Sequence, residues 1–413
     1  MSAPVAGRLR TALDDFFADG APGAVAVAVS GGGDSTALLL ASLDYGREQG
    51  VVVRAVTVDH GLRAESADEA RRVAALCASH DCPHETLALD GFEPGPDLQA
   101  RARAARYDAL EAWGRRNEMG VILLGHTADD VAETLLMRLR RGAGIDGLAR
   151  MAGRFGAAPA FGRPFLRLER DTLRRHLAEC GVAPIEDPSN DDAAFERVRV
   201  RQAIAAFDLD SSALARTAGF LDDARRSLAR RAADLAAGIV TEDRGDLLFD
   251  RPALLDLIEN EREQARRLLL AALRCIGGDG YPPRTGEIDR LLAALPDGGV
   301  RTLGGCVLWP VAEGRLRVAR EAAATAPPVP VGEVWDGRWC LDGPVGPGLA
   351  IGALGPDVAA TPWRESGLPR RSLLASPAIR DSDGALVAAP LAGLSAGWRA
   401  TPRRAFTATL ISR

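Results

Sequence analysis

Ala24-Val25-Ala26-Val27-Ala28-Val29 runs directly into Ser30-Gly31-Gly32-Gly33-Asp34-Ser35. The first six residues are apolar without a break, the pattern of a strand covered on both faces in a parallel sheet. A helical stretch from Thr36 to about Tyr45 follows the glycines. A strand-to-helix turn of this kind aims backbone N–H groups and the positive helix end at one spot, which suits an anion. Glycines let the backbone approach that anion closely and adopt positive φ. Ser30 and Ser35 add hydroxyl donors. Asp34 would repel an anion unless a divalent cation bridged them, so the stretch calls for Mg²⁺ with a pyrophosphate-bearing ligand. The competing reading is a glycine turn in which Asp34 only caps the helix. A dinucleotide-binding loop fits less well, because the third glycine and the later acid are not at the required offsets.

Outward from this unit, strand-like and helix-like segments alternate. Val51 to Val58 is a second apolar run, and Glu85 to Leu89 a candidate third strand. Val121 to Leu124 is a fourth. Helical spacing occupies Ser66 to His80, Asp97 to about Asn117, and Ala128 to Arg140. Ser66 and Glu69 have the form of a capping box. Such alternation implies right-handed βαβ units and a mostly parallel, Rossmann-like sheet. Ligands of such sheets bind at the carboxyl ends of the strands. The chemistry-bearing residues are therefore expected just after Val29, Val58 and Leu124.

Past Phe207 the alternation stops. Ser211 to Gly238 and Arg251 to Ile276 read as helical, and Pro327 to Pro330 as a linker. The chain divides on this reading into residues 1–207, a mainly helical part at 208–325, and a small β-rich or mixed part at 326–413.

The 413 residues are 47% hydrophobic and 26% charged with net charge -5, ordinary for a globular protein. No lysine occurs, so all 51 basic residues are arginine. That removes Schiff-base lysines, adenylyl-lysine and the P-loop lysine. Cys77, Cys82, Cys180, Cys275, Cys306 and Cys340 form no C-x-x-C pair and read as reduced thiols. Residues 1–20 are too polar for a signal peptide, and no apolar run is long enough to span a bilayer. The expected location is cytoplasmic.

Ser-Gly-Gly-x-Asp-Ser after the first strand resembles the loop of the PP-loop N-type ATP-pyrophosphatases. Three further segments narrow the resemblance. The first is Val58-Asp59-His60-Gly61-Leu62-Arg63, and the second Gly125-His126-Thr127-Ala128-Asp129-Asp130-Val131-Ala132-Glu133-Thr134. The third is Glu186-Asp187-Pro188-Ser189-Asn190, with Arg197-Val198-Arg199-Val200-Arg201 after it. In this order they are similar to the tRNA(Ile)-lysidine synthetases over roughly residues 22–205. Val198 stands where that family has Asn. Another PP-loop tRNA-modifying enzyme or an amide-forming synthetase is the alternative. The thiolation enzymes need cysteines to carry sulfur or a cluster, often in C-x-x-C pairs, and this chain has no such pair.

The resemblance implies an adenine nucleotide alpha-hydrolase type domain, followed by an α-helical middle domain and a small C-terminal domain. It implies ATP and Mg²⁺, with L-lysine and a tRNA(Ile) bearing a CAU anticodon as the other substrates. ATP would adenylate the wobble cytidine, and lysine would displace AMP. Ser30, Gly31, Gly32, Gly33, Asp34, Ser35, His60 and Arg103 are the expected ATP contacts, with Asp34 on the metal. Asp34, His126 and Asp130 are the expected catalytic residues. Asp129, Asp130 and Glu133 are candidates to receive lysine. Asp130 and Glu133 share a helix face by their spacing, though acids at a helix start also simply complement its dipole. Arg106, Arg197 and Arg201 are candidates for phosphate of ATP or tRNA, against a reading as solvated or ion-paired arginines. Further arginines, among them Arg138, Arg170, Arg174, Arg175 and Arg225, are candidates for a tRNA-binding stripe. The oligomeric state stays open, a homodimer being one arrangement.

Overall fold

The computed structural model describes residues 4–61, 66–89, 95, 98–185, 194–278, 283–344 and 346–411. They form two compact units, residues 1–225 and 226–413.

In the first unit the chain runs α1 (Val5–Phe16), β1 (Ala24–Ala28), α2 (Gly33–Gln49), β2 (Val52–Asp59), α3 (Ser66–Ser79), β3 (His84–Ala88) and α4 (Leu98–Arg116). It continues through β4 (Val121–Leu124), α5 (Ala128–Arg140), α6 (Ile145–Leu148), β5 (Arg154–Phe155), β6 (Ala160–Gly162), α7 (Arg170–Glu179) and α8 (Glu196–Ala206), then enters α9 (Ser211–Ile239). The strand order is β3-β2-β1-β4-β6-β5. All neighbours are parallel except the edge pair of β5 and β6.

β1 and β4 lie at the centre because only strands apolar on both sides tolerate helices on both faces. All four residues of β4 are buried. Val25, Val27, Val121 and Leu123 point into one core with Leu38 and Leu39 of α2. Ala26, Ala28, Ile122 and Leu124 point into the other with Leu110 and Trp113 of α4. Each large apolar side chain so enclosed contributes roughly 1.5–3 kcal/mol. The chain lays down β2 and β3 on one side of β1 and returns to place β4 on the other. That reversal opens a crevice at the carboxyl ends of β1 and β4, the usual ligand position in such sheets.

The second unit holds a five-stranded antiparallel sheet between residues 240 and 320. Helices Arg251–Asn260, Arg262–Gly277 and Thr285–Ala294 pack on it. The helices expected there are present, but the sheet was not anticipated. The stretch read as one helix from Arg251 to Ile276 breaks at Glu261, whose backbone leaves the helical region (φ -130°, ψ 54°). The tail carries a four-stranded and a two-stranded sheet. The expected linker is part of it: Val329–Pro330 pairs with Ala350–Ile351, and the indole N–H of Trp335 donates to the Ala326 and Pro327 carbonyls.

Candidate active site

α2 begins at Gly33, three residues before the helical pattern of its sequence, so Asp34 and Ser35 already sit in its first turn. Gly31 adopts φ +85°, where a side chain would be strained and its Cβ would lie 2.5 Å from Ile185 Cδ1. The loop is self-supporting. Ser30 N–H donates to Ser35 Oγ (3.1 Å), Ser35 Oγ to the Gly32 carbonyl (3.0 Å), and Thr36 Oγ1 to the Gly31 carbonyl (3.2 Å). Both serine hydroxyls are thus partly engaged within the loop, at 3.2 Å from each other.

The second segment touches this loop directly. A Cβ on Gly125, at the end of β4, would stand 2.8 Å from Ser35 N and 2.9 Å from the Asp34 carbonyl carbon. Only glycine allows that approach, which sets the start of α5 beside the start of α2. Thr127 and Asp130 then form a capping box: Asp130 Oδ2 accepts from Thr127 N–H (2.9 Å) and from its hydroxyl (3.0 Å). The helix-start role of Asp130 is therefore real, and it occupies one oxygen of the carboxylate.

The other oxygen faces arginines. Asp130 Oδ1 lies 3.6 Å from Arg197 Nη1 and 3.9 Å from Arg170 Nη2. Glu133, only 1% exposed, accepts from Arg201 Nε at 3.0 Å and lies 3.5 Å from Arg170 Nη1. Arg170 Nε donates to Asp34 Oδ2 at 3.1 Å. The backbone N–H of Arg170 donates to Asp129 Oδ2 at 2.8 Å. One guanidinium thus joins the loop acid to the acids of α5. Two carboxylate oxygens in this group, Asp34 Oδ1 and Glu133 Oε2, are buried without a hydrogen-bond partner among the described residues.

Burial pushes the Asp34 carboxyl up to about 6, against the opposing pull of Arg170, and Asp130 adds to the rise. Burial also drives His126 down to about 4, so its imidazole is neutral at pH 7. His126 Nδ1 is buried and has no partner among the described residues. Asp130 is held below the usual carboxylate range by Arg170, His126, Arg197 and the Thr127 N–H, which outweigh its burial.

At the end of β2, Gly61 N–H donates to Asp59 Oδ1 (2.9 Å) and Gly61 turns left-handed at φ +61°. His60 is held below its normal range by burial and by the charge of Arg106. Arg106 is itself buried enough to be pushed below the ordinary arginine value. Arg103 is exposed, donates to Tyr107 Oη (3.2 Å) and lies over that ring. It stands within reach of His126 electrostatically. Leu62, Arg63, Asp97 and residues 186–190 of the sequence reading lie outside the described residues.

Arg170 is the residue whose place the sequence did not reveal. Among the arginines read as a tRNA stripe it is turned to the acids of the crevice, with its side chain 19% exposed. Arg225 is also largely committed, to Asp222 at 3.0 Å, and Arg138 to the Gly147 carbonyl at 2.7 Å. Val198, where the resembling family has Asn, is buried on α8.

Among the described residues no group of three metal-type ligands occurs. That is no obstacle to Mg²⁺, which takes one or two carboxylates and completes its shell with water and phosphate. Asp34, with a buried and unpartnered Oδ1, fits that demand.

The PP-loop domain family matches residues 6–207. A tRNA(Ile)-lysidine synthase of Ruegeria pomeroyi is 43% identical over 389 residues, covering 92% of this chain and 91% of that protein. One from Novosphingobium aromaticivorans is 40% identical over 289 residues, covering 68% and 85%. One from Mesorhizobium japonicum is 39% identical over 333 residues, covering 76% and 71%.

Proposed function

Since the chain belongs to the tRNA(Ile)-lysidine synthase family, we propose that it forms lysidine at the crevice between β1 and β4. The carrying observation is that the loop Ser30–Ser35 and the acids of α5 meet at the carboxyl ends of β1 and β4, joined by Arg170. ATP is the activating substrate and L-lysine the amine donor. The acceptor is the wobble cytidine of a tRNA(Ile) with a CAU anticodon.

In the first step the cytidine 2-keto oxygen attacks the α-phosphorus. An O–P bond forms, the bond from that phosphorus to the bridging oxygen breaks, and pyrophosphate leaves. The loop N–H groups and the α2 N-terminus hold the phosphates. Mg²⁺, held by Asp34 and substrate phosphate, would supply charge neutralisation on the departing pyrophosphate. In the second step the lysine amine attacks C2, the C2–O bond breaks, and AMP leaves. Glu133 and Asp130 draw the cationic amino acid to the crevice, and Asp129 steadies the start of α7. The amine nitrogen must shed a proton once the C–N bond forms. His126, whose Nδ1 has no partner among the described residues, and the acids of α5 are the candidates to take it. Arg103, Arg106, Arg197 and Arg201 line the approach for nucleotide and RNA phosphate. The cytoplasm, where ATP, lysine and tRNA coexist, is the proposed location.

A sulfur-transfer reading would need a reactive thiol. No cysteine is among the described residues that meet at this crevice, which favours an amine as the second substrate. The test is incubation with labelled lysine, ATP and a CAU transcript. Lysine incorporation with equimolar AMP and pyrophosphate is expected. A transcript with uridine at the wobble position should take up none. Pyrophosphate release with no lysine incorporated would overturn the reading.

A further inference from the structure

Arg170 touches carboxylates that serve two different substrates. Its own placement is fixed by backbone. Its N–H donates to Asp129, and the carbonyl of Leu168, two residues earlier, accepts from Ala128 N–H at 2.8 Å. The starts of α7 and α5 are thereby pinned together, and the guanidinium emerges toward the loop. Its donors then take Asp34 Oδ2 at 3.1 Å and reach Glu133 Oε1 at 3.5 Å, an oxygen that Arg201 Nε also holds at 3.0 Å. In each carboxylate the oxygen left over is the buried, unpartnered one, Asp34 Oδ1 and Glu133 Oε2. A planar fork can fix two carboxylates at a set angle, which a single ammonium cannot. Leaving such oxygens bare costs free energy unless a cation arrives.

We propose that Arg170 is a positioning residue for both substrates: by holding one oxygen of Asp34 and one of Glu133, it presents the other oxygen of the first to metal-bound nucleotide and of the second to the amine-bearing substrate. The inference rests on lysine as that substrate. Its consequence is that the metal requirement and the lysine requirement move together when the fork is lost, although the two acids lie 99 positions apart in the chain.

The test compares wild type with Arg170→Lys, which keeps the charge and loses the fork, and with Arg170→Ala. Two readouts are taken. The Mg²⁺ midpoint is read from binding of a fluorescent, non-hydrolysable ATP analogue without turnover, and the lysine KM from lysidine formation. In Arg170→Lys both should rise about tenfold or more, as for residues that orient metal ligands. Analogue binding without metal should change less than about threefold, since the loop N–H groups are untouched. A melting temperature near that of wild type shows that the fold is kept. If Arg170→Ala does not fold, Arg170→Lys decides. A shift in only one readout, or in neither, would overturn the inference. Absence of lysine-dependent product from wild type would instead overturn the functional reading, and the Mg²⁺ midpoint is scored independently of it.

Discussion

Both units bury arginine against aspartate, and they do so with opposite accounting. In the second unit Arg320 meets Asp336 fork to fork, Nε to Oδ2 and Nη2 to Oδ1, each at 2.8 Å. Asp336 Oδ1 also accepts the Ala326 N–H at 3.0 Å. Both carboxylate oxygens are satisfied, and the pair ties the strand Arg315–Arg320 to the segment after residue 326. In the first unit Arg170, with Arg197 and Arg201, serves Asp34, Asp130 and Glu133 at 3.0–3.9 Å and still leaves two buried oxygens without a partner among the described residues. A saturated pair holds a fold together. A cluster with oxygens left over is open to a cation, which is what the proposed site requires.

The largest expected effect tests the undersupplied side. Asp34→Ala should lower ATP-dependent turnover about 10²–10³-fold or more. Its melting temperature should stay within a few degrees of wild type, because a carboxyl whose ionisation is opposed by burial adds little stability at neutral pH. Arg320→Ala should do the reverse. It strands Asp336, whose side chain is 2% exposed, at a cost of about 3–5 kcal/mol. The melting temperature should fall by about 10 °C, with turnover per folded molecule retained. If Asp34→Ala unfolds the chain, or Arg320→Ala abolishes turnover in folded protein, the contrast fails.

A third effect is pH-dependent. His126 titrates near 6.5 when unfolded and about 4 when folded. Between those values the unfolded chain binds the extra proton, so stability rises with pH across that window and is lost as pH falls through it. His126→Gln should flatten the fall in melting temperature between pH 7 and pH 5, by about 5 °C at the lower end. An unchanged slope would mean that the imidazole is not buried as described. The smallest effect is at the rim. Arg197 is half-exposed and 3.6 Å from Asp130. Arg197→Ala should shift stability by less than about 1 kcal/mol and kcat/KM by roughly tenfold or less. A loss as large as that of Asp34→Ala would move Arg197 into the core of the site.

Much of this was legible in the chain. β1 and β4 are unbroken apolar runs, and their place at the sheet centre follows from that. The loop and the α5 segment each announced themselves, and Gly125 explains why they touch. Arg170 was not legible as part of the site. It lies 136 positions after Asp34, among other arginines at the start of a short helix, and nothing local distinguishes it from Arg174 or Arg175. Its role exists only once α7 is pinned to α5. The sheet of the second unit escaped for a different reason. Its edge strands Arg301–Leu303 and Val240–Asp243 are three and four residues long, too short for a period of two to stand out, and the longer central strands Cys306–Val311 and Arg315–Arg320 lie in a stretch read only by its flanking helices. Val329–Pro330 read as a linker because proline usually marks one, yet proline is tolerated at a sheet edge, where this strand lies.

The most direct test is a crystal structure with a non-hydrolysable ATP analogue and Mg²⁺. The expected result is a triphosphate against the N–H groups of residues 31–35, with Asp34 Oδ1 turned to the metal and Oδ2 still on Arg170. A nucleotide bound away from that loop, with Asp34 Oδ1 facing protein alone, would contradict the account.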